Sequence, residues 1–382
     1  MTNANKTAVA SESSQPPRFN SIDYIEMYVG NAFQAAHYYR SAFGYTSIAY
    51  AGPETGERDR VSFTIQQYGI RFVLTSALKS QSEVAMYVHR HGDGVKDIAL
   101  SVDDAACAFN EAVNRGARPV LEPTVFEDES GKVVKATIAT LGDTVHSFIQ
   151  RNAYDGPFFP KYKPIKPSPP SQQAGLTTID HIAFVVEPGT VDGFVEYYQA
   201  LAFRLSRAED ISSEYSAMNT RVVQDATGQV IFVLVEPLAS KRKSPIDEYL
   251  LYNEGAGVHH IALSSNDIVK SVKTLLGNGV EFASTPSTYY ESLERRVGNI
   301  AEDKNDLSDF GILVDRDSFG YLMQIFCKPV QGRPTSFFEI IQRVGARGFG
   351  SANIKALYES IELEQIRRGN ELLNRDNPDF GA

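Results

Sequence analysis

Ile179-Asp180-His181-Ile182-Ala183-Phe184-Val185-Val186 is a strand-length run, apolar but for one carboxylate and one imidazole. The chain writes the opening of that passage twice, the first time as Ile22-Asp23-Tyr24-Ile25. Each copy leads into a helical stretch. One reads Phe194-Val195-Glu196-Tyr197-Tyr198 and then Leu201-Ala202-Phe203-Arg204; the other reads Ala35-Ala36-His37-Tyr38-Tyr39 and then Ala42-Phe43-Gly44-Tyr45. Further on, Gly94-Val95-Lys96-Asp97-Ile98-Ala99-Leu100 answers Gly257-Val258-His259-His260-Ile261-Ala262-Leu263, and Ile149-Gln150-Arg151 answers Ile341-Gln342-Arg343. A repeat on this scale means one supersecondary plan used twice.

Working outward, six of the 18 prolines fall between Pro157 and Pro170. That density removes backbone donors and favours extended chain, so residues 153–176 read as a linker. The division is a polar tail over 1–18, one domain over 19–152 and a second over 177–382. Within the second, Ile179–Val186 reads as a strand and Val191–Leu201 as a helix. Arg221–Val223 and Gln229–Val235 flank a turn at Ala226-Thr227-Gly228. His259–Leu263, a helix over Ile268–Leu276, and strands at Tyr321–Phe326 and Phe337–Ile341 follow. Ile354, Leu357, Tyr358 and Ile361 have i, i+3, i+4, i+7 spacing, an amphipathic helix that acts as a lid or as a brace. The fold class is α+β, with sheets able to curl around a pocket in each half.

The 382 residues carry 37 Lys and Arg against 47 Asp and Glu, a net charge of −10. No basic surplus exists to neutralise phosphates, which argues against a nucleic-acid partner. No apolar run reaches membrane-span length. Two cysteines are too few for a disulfide framework or a cysteine metal cage, so the expected setting is a reducing, cytoplasmic one. Lys241-Arg242-Lys243 reads as a solvated loop. Gly345-Ala346-Arg347-Gly348-Phe349-Gly350 lacks the ending of a phosphate loop and reads as a hinge.

Three polar residues stand out on apolar faces. Strand alternation groups His181 with Ile179, Ala183 and Val185, His260 with Val258 and Ala262, and Glu339 with Phe337 and Ile341. A buried carboxylate is costly unless it is paired or ligates a metal. Two imidazoles and one carboxylate form the facial triad of non-haem Fe(II) enzymes, which leaves positions open. The repeat provides a control: at the matching places the first half has Tyr24, Asp97 and Ser147. The alternative is a pair of satisfied core histidines beside a salt-bridged Glu, and spacing alone does not name the metal. Alternation turns His259 to the opposite face.

Further motifs carry a resemblance. Gly255-Ala256-Gly257-Val258 before His260, Gln324-Ile325-Phe326, Arg333-Pro334-Thr335 before Phe337-Phe338-Glu339, His91-Gly92-Asp93-Gly94-Val95 and Tyr154-Asp155-Gly156-Pro157 resemble the 4-hydroxyphenylpyruvate dioxygenase family over residues 19–370. The resemblance implies the vicinal-oxygen-chelate (glyoxalase/bleomycin-resistance-like) fold. That fold has duplicated βαβββ modules forming two open barrels with a C-terminal lid helix. It places Fe(II) on His181, His260 and Glu339, with a small aromatic 2-oxo acid and O₂ as substrates. It also implies a homo-oligomer, dimer or tetramer. The family includes a sister activity, 4-hydroxymandelate synthase, which hydroxylates the benzylic carbon instead of the ring.

Several positions resemble that sister branch. Val233-Leu234-Val235-Glu236-Pro237 has Val235 where ring-attacking members carry Asn, and Ile354 stands where they carry a Phe. Ala217–Val223 and His146–Gln150 also resemble it. Thr220, Val233, Val235, Gln324, Phe349 and Ile354 are the expected substrate-binding residues. Pro245 and His259 depart from the glutamines usual in the family. The expected activity is conversion of 4-hydroxyphenylpyruvate to 4-hydroxymandelate. Alternatives are the homogentisate-forming dioxygenase, an extradiol ring-cleaving enzyme, and a non-catalytic binding protein with a vestigial site.

Overall fold

A computed structural model describes residues 17–166, 172–212, 217–239, 244–285 and 287–355. Nearly all of the expected tail, three of the linker prolines, the Lys241–Lys243 run and the helix positions Leu357, Tyr358 and Ile361 lie outside those residues. The first half runs β1 (Ser21–Tyr28), α1 (Ala32–Phe43), β2 (Thr46–Ala51), β3 (Arg60–Gln67), β4 (Ile70–Ala77), α2 (Glu83–His91), β5 (Gly94–Ser101), α3 (Ala105–Asn114), β6 (Pro119–Asp128), β7 (Gly131–Ala139), β8 (Val145–Tyr154) and β9 (Lys163–Pro164). The second runs β10 (Leu176–Val185), α4 (Val191–Ala200), β11 (Arg204–Ser212), β12 (Ala217–Gln224), β13 (Ile231–Pro237), α5 (Pro245–Asn253), β14 (Gly257–Ser265) and α6 (Ile268–Gly277). Three short helices, α7 (Ser287–Glu291), α8 (Leu293–Val297) and α9 (Lys304–Asp309), then precede β15 (Leu313–Arg316), β16 (Tyr321–Phe326) and β17 (Phe337–Val344).

Local chemistry sets the boundaries. Asn31 caps α1 by accepting from the Gln34 amide, and Gly44 ends it in the left-handed region at φ 76°. The expected hairpin forms because Asp225 accepts from the Thr227 and Val230 amides and closes the β12–β13 turn. Each half is then two βαβββ modules. In the sheets, ordered β6-β7-β8-β5-β1-β4-β3-β2-β9 and β11-β12-β13-β10-β14-β17-β16-β15, the modules meet through antiparallel β1/β5 and β10/β14. One face of each sheet joins a core shared by both halves, in which Phe338 meets Tyr39, Phe43 and Phe72. The other faces surround smaller clusters of their own.

Two details depart from simple alternation. The β10–β14 ladder shifts register between Ile179 and His181, and again between Ala183 and Phe184. These bulges send Ile179 and Val258 into the shared core, off the faces of His181 and His260. Part of the linker is also not a spacer. Phe158 is buried against the first half's inner cluster with Phe159 and Tyr162 beside it, and Lys163–Pro164 adds an edge strand to β2. Interleaved aromatics outweigh the extended tendency of the prolines there, and Pro164 is tolerated because β9 is an edge.

Candidate metal centre

The ladders bring the three residues together in rows. His181 on β10 and Glu339 on β17 both pair with Ala262, which lies between them on β14. His260 lies two residues along the same strand. One donor atom from each of the three lies within 4.8 Å of the others. His181 Nε2 is 3.6 Å and His260 Nε2 3.4 Å from Glu339 Oε2. Glu339 is 1% and His181 3% exposed, and His260 is half-buried.

Each of the three side chains is oriented from behind. Asp180, a carboxylate that can only accept, accepts a hydrogen bond from His181 Nδ1–H at 2.8 Å, which turns Nε2 inward. His260 stacks on Phe337 at 5.2 Å. Its Nδ1 lies 3.1 Å from His259 Nδ1. Burial, reinforced by the neighbouring imidazoles, holds His260 well below its ordinary pKa and hence neutral. Burial also raises the Glu339 carboxyl, against the pull of His181. Glu339 Oε1 accepts from Gln324 Nε2 at 2.8 Å, leaving Oε2 to face the two imidazoles. Acceptors converging on one point in a dry site repel one another unless a cation lies between them. The donor set therefore fits a divalent metal, and a 2-His-1-carboxylate set suits Fe(II).

A pocket of about 570 Å³ opens from this centre. Its wall follows from register: Glu209, Thr220 and Val235 form one row across β11, β12 and β13, and Arg207, Val222 and Val233 the next. Glu236, beside Val235, pins β13 by accepting from the Gly189, Thr190 and Val191 amides at the start of α4. The Thr220 hydroxyl is buried and has no partner among the described residues. Phe349 sets its ring edge-on to His181 at 5.1 Å, and Ile354 completes the wall. Across the mouth Glu209 bridges Arg207 at 2.6 Å and Ser351 at 2.6 Å.

Thr220, Val233, Val235, Phe349 and Ile354 all line the pocket. Gln324 lies behind it: its amide is bonded to Glu339, to the Phe349 carbonyl and to Asn353. His259 lines the pocket beside His260, because the bulge cancels the alternation that would turn it away. Asn353 and Tyr289 extend the Glu339–Gln324 chain at 2.9 and 2.7 Å, through bonds between positions 29 and 64 apart that no local pattern marks. Gly350 is required there, since a Cβ would meet Gln324 Oε1 at 2.1 Å and its φ is +73°. The glycine-rich loop is no phosphate cradle, because Asp317 already takes the Arg347 and Gly348 amides.

In the first half, Tyr24, Ala99 and Ser147 form the matching row, with Asp97 in the place of His260. Lys135 occupies Gln324's place and binds both Asp97 and Tyr24 at 3.0 Å. Burial alone would lower the Lys135 pKa, but Asp97 and Tyr24 outweigh it and hold the ammonium charged. A lysine cation thus stands where the second half would place a metal.

Comparisons with known proteins agree with this architecture. Residues 178–325 match the glyoxalase/bleomycin resistance protein/dioxygenase superfamily. Residues 15–159 match the N-terminal domain of hydroxyphenylpyruvate dioxygenase. The 4-hydroxyphenylpyruvate dioxygenase of Xenopus tropicalis is 43% identical over 92% of this chain and 93% of its own. That of Neurospora crassa is 40% identical over 94% and 95%. A triply substituted 4-hydroxymandelate synthase from Streptomyces coelicolor superposes with TM-score 0.83 at 36% identity, covering 92% of this chain and 100% of that one. Among the described residues no helix is long and apolar enough to cross a membrane. With the duplicated modules, the buried triad and full-length relatives in agreement, the chain belongs to the 4-hydroxyphenylpyruvate dioxygenase family of non-haem iron enzymes.

Proposed function

We propose that the chain oxidatively decarboxylates 4-hydroxyphenylpyruvate with O₂, using Fe(II) held by His181, His260 and Glu339. The observation that carries this reading is the convergence of three acceptor atoms, one each from His181, His260 and Glu339, within 4.8 Å of one another on the wall of a largely apolar pocket. Fe(II) in that place supplies the coupling of O₂ reduction to oxidation of a 2-oxo acid. The protein does the rest. Asp180 holds the His181 ring and Gln324 fixes one Glu339 oxygen. Val222, Val233 and Val235 keep water from the reacting face, Phe349 offers an aromatic edge, and the unpartnered Thr220 hydroxyl offers a polar contact. Gln324 acts on substrate through Glu339 and the Phe349 backbone.

The balance is 4-hydroxyphenylpyruvate plus O₂ giving CO₂ and a product that retains one oxygen atom in its new carboxylate and one as a new hydroxyl. The names of the full-length relatives favour homogentisate, in which the ring is hydroxylated and the side chain shifts. A second reading, 4-hydroxymandelate, rests on a specific observation: Val235 and Ile354 both stand on the pocket wall. Aliphatic groups there leave the ring free to turn and present the benzylic carbon. The two products are isomers, so regiochemistry is a matter of placement alone. Chromatography of the product from anaerobically Fe(II)-loaded protein separates them. Absence of both, with no O₂ uptake, refutes the proposal. The protein is expected to act as a homo-oligomer in the cytoplasm.

A further inference from the structure

We propose that Arg343, acting with Asp180, is a positioning residue that sets the His181 ring and the Phe349 ring together, so that metal binding and the aromatic wall depend on one guanidinium. The inference rests on the function proposed above. Arg343 Nε and Nη2 grip the two Asp180 oxygens at 2.7 and 2.8 Å, a fork that Lys cannot reproduce. The same Asp180 Oδ1 accepts a hydrogen bond from His181 Nδ1–H at 2.8 Å. On its other side Arg343 Nη1 donates to the Gly348 carbonyl, and the guanidinium lies 5.1 Å from the centre of the Phe349 ring. Phe349 closes the circuit edge-on to His181. Ligand, carboxylate, guanidinium and wall form a closed ring of contacts.

The first half contains the same ring of contacts without a metal. Arg151 grips Asp23 at 2.8–3.0 Å, donates to the Phe158 carbonyl and lies 5.0 Å from the Phe158 ring. Phe158 stands edge-on to Tyr24 at 5.3 Å, as Phe349 does to His181 at 5.1 Å. The segment after the last strand therefore folds back in both halves, and an arginine pins its aromatic residue over the first position of the triad. In the first half this is a permanent plug, since the segment continues into β9. Two contacts separate the halves: the second adds the Asp180–His181 hydrogen bond, because Tyr24 has no ring nitrogen to offer Asp23, and the first adds Arg71, which lies 3.5 Å from Asp23 and beside the Phe158 ring. Substitution at Arg151 thus measures the scaffold's share alone, and substitution at Arg343 measures the scaffold's share plus positioning.

The test is anaerobic Co(II) titration of the full-length apoprotein, read by visible absorption, alongside thermal unfolding, for wild type, Arg151→Met, Arg343→Met and Asp180→Asn. Arg151→Met is expected to lower the melting temperature and leave Co(II) affinity and spectrum as in wild type. Arg343→Met and Asp180→Asn are expected to weaken Co(II) binding at least tenfold and to alter the absorption bands. With Fe(II), Arg343→Met should also raise KM for the oxo acid more than Asp180→Asn does, since it alone unseats Phe349. If Arg343→Met does not fold, Asp180→Asn carries the comparison. Unchanged Co(II) affinity in both second-half variants overturns the inference. Wild-type protein that binds no Co(II) overturns the metal reading itself and the inference with it.

Discussion

Glu339→Gln should make the metal-free protein more stable while abolishing its metal site. The carboxylate is 1% exposed, and among the described residues its direct donor is Gln324, whose bond to Oε1 an amide oxygen would keep. Its other oxygen faces His181 Nε2 at 3.6 Å and His260 Nε2 at 3.4 Å. A Gln amide placed there donates toward those lone pairs, so an acceptor–acceptor clash becomes a donor–acceptor contact. Arg343 keeps its Asp180 partner, so no cation is stranded, and replacing a buried charge by a neutral group of the same shape can then stabilise by about 1–4 kcal/mol. For a 382-residue chain with one shared core, an unfolding entropy of about 2.1 cal/mol/K per residue means that each kcal/mol moves Tm by about 1 °C. Calorimetry of metal-free wild type and variant should therefore show the variant melting about 1–5 °C higher. Divalent metal at about 100 times Kd adds about 2.7 kcal/mol to the wild type and nothing to a variant that cannot bind it. The order of melting temperatures then reverses or narrows when metal is added. A metal-free variant less stable than wild type, or one still stabilised by metal, would refute the account of Glu339 as a carboxylate held for a cation.

Three other outcomes follow from the same contacts. Lys135→Met leaves Asp97 buried without its cation and should cost about 3–5 kcal/mol, whereas Lys135→Met with Asp97→Asn should recover most of that in denaturant melts; equal losses would contradict the ion-pair account. Ile354→Phe combined with Val235→Asn should change the ratio of homogentisate to 4-hydroxymandelate measured by chromatography, since both side chains line the pocket; an unchanged ratio would show that this wall does not set regiochemistry. His146 is buried between Ile98, Tyr198 and Phe232, and burial lowers its pKa from 6.5 to about 4. Its neutral form stabilises the fold above pH 6.5, and that contribution is lost as pH falls toward 4, by about 1.4 kcal/mol per unit. His146→Phe should flatten the stability profile over that window, and an unaltered slope would remove His146 as its cause.

Much of this was legible before any coordinates, and for definite reasons. Strand periodicity and the repeat locate β10, β14 and β17, and a polar residue on an apolar face is conspicuous in a linear text. His181, His260 and Glu339 were visible in that way, and so was the contrast with Tyr24, Asp97 and Ser147. What alternation misplaces, bulges explain: one extra residue turns Ile179 and Val258 into the core and brings His259 to the pocket. Composition also misleads in the linker, where Phe158 and Tyr162 pack despite the prolines around them. The supporting groups leave the faintest trace. Gln324 reads as a pocket residue because its partner Glu339 is 15 positions away, and Asn353 reads as an ordinary helix residue. Arg343 and Asp180 are 163 positions apart, yet the repeated Arg151 and Asp23 could have flagged them as a pair.

The most direct test of the central claim is O₂ uptake by anaerobically Fe(II)-loaded protein on addition of 4-hydroxyphenylpyruvate, with CO₂ and the aromatic product measured together. The account predicts equal amounts of O₂ consumed, CO₂ released and hydroxylated product formed, all lost in Glu339→Gln. Metal and oxo acid bound without O₂ uptake, or turnover that survives Glu339→Gln, would contradict it.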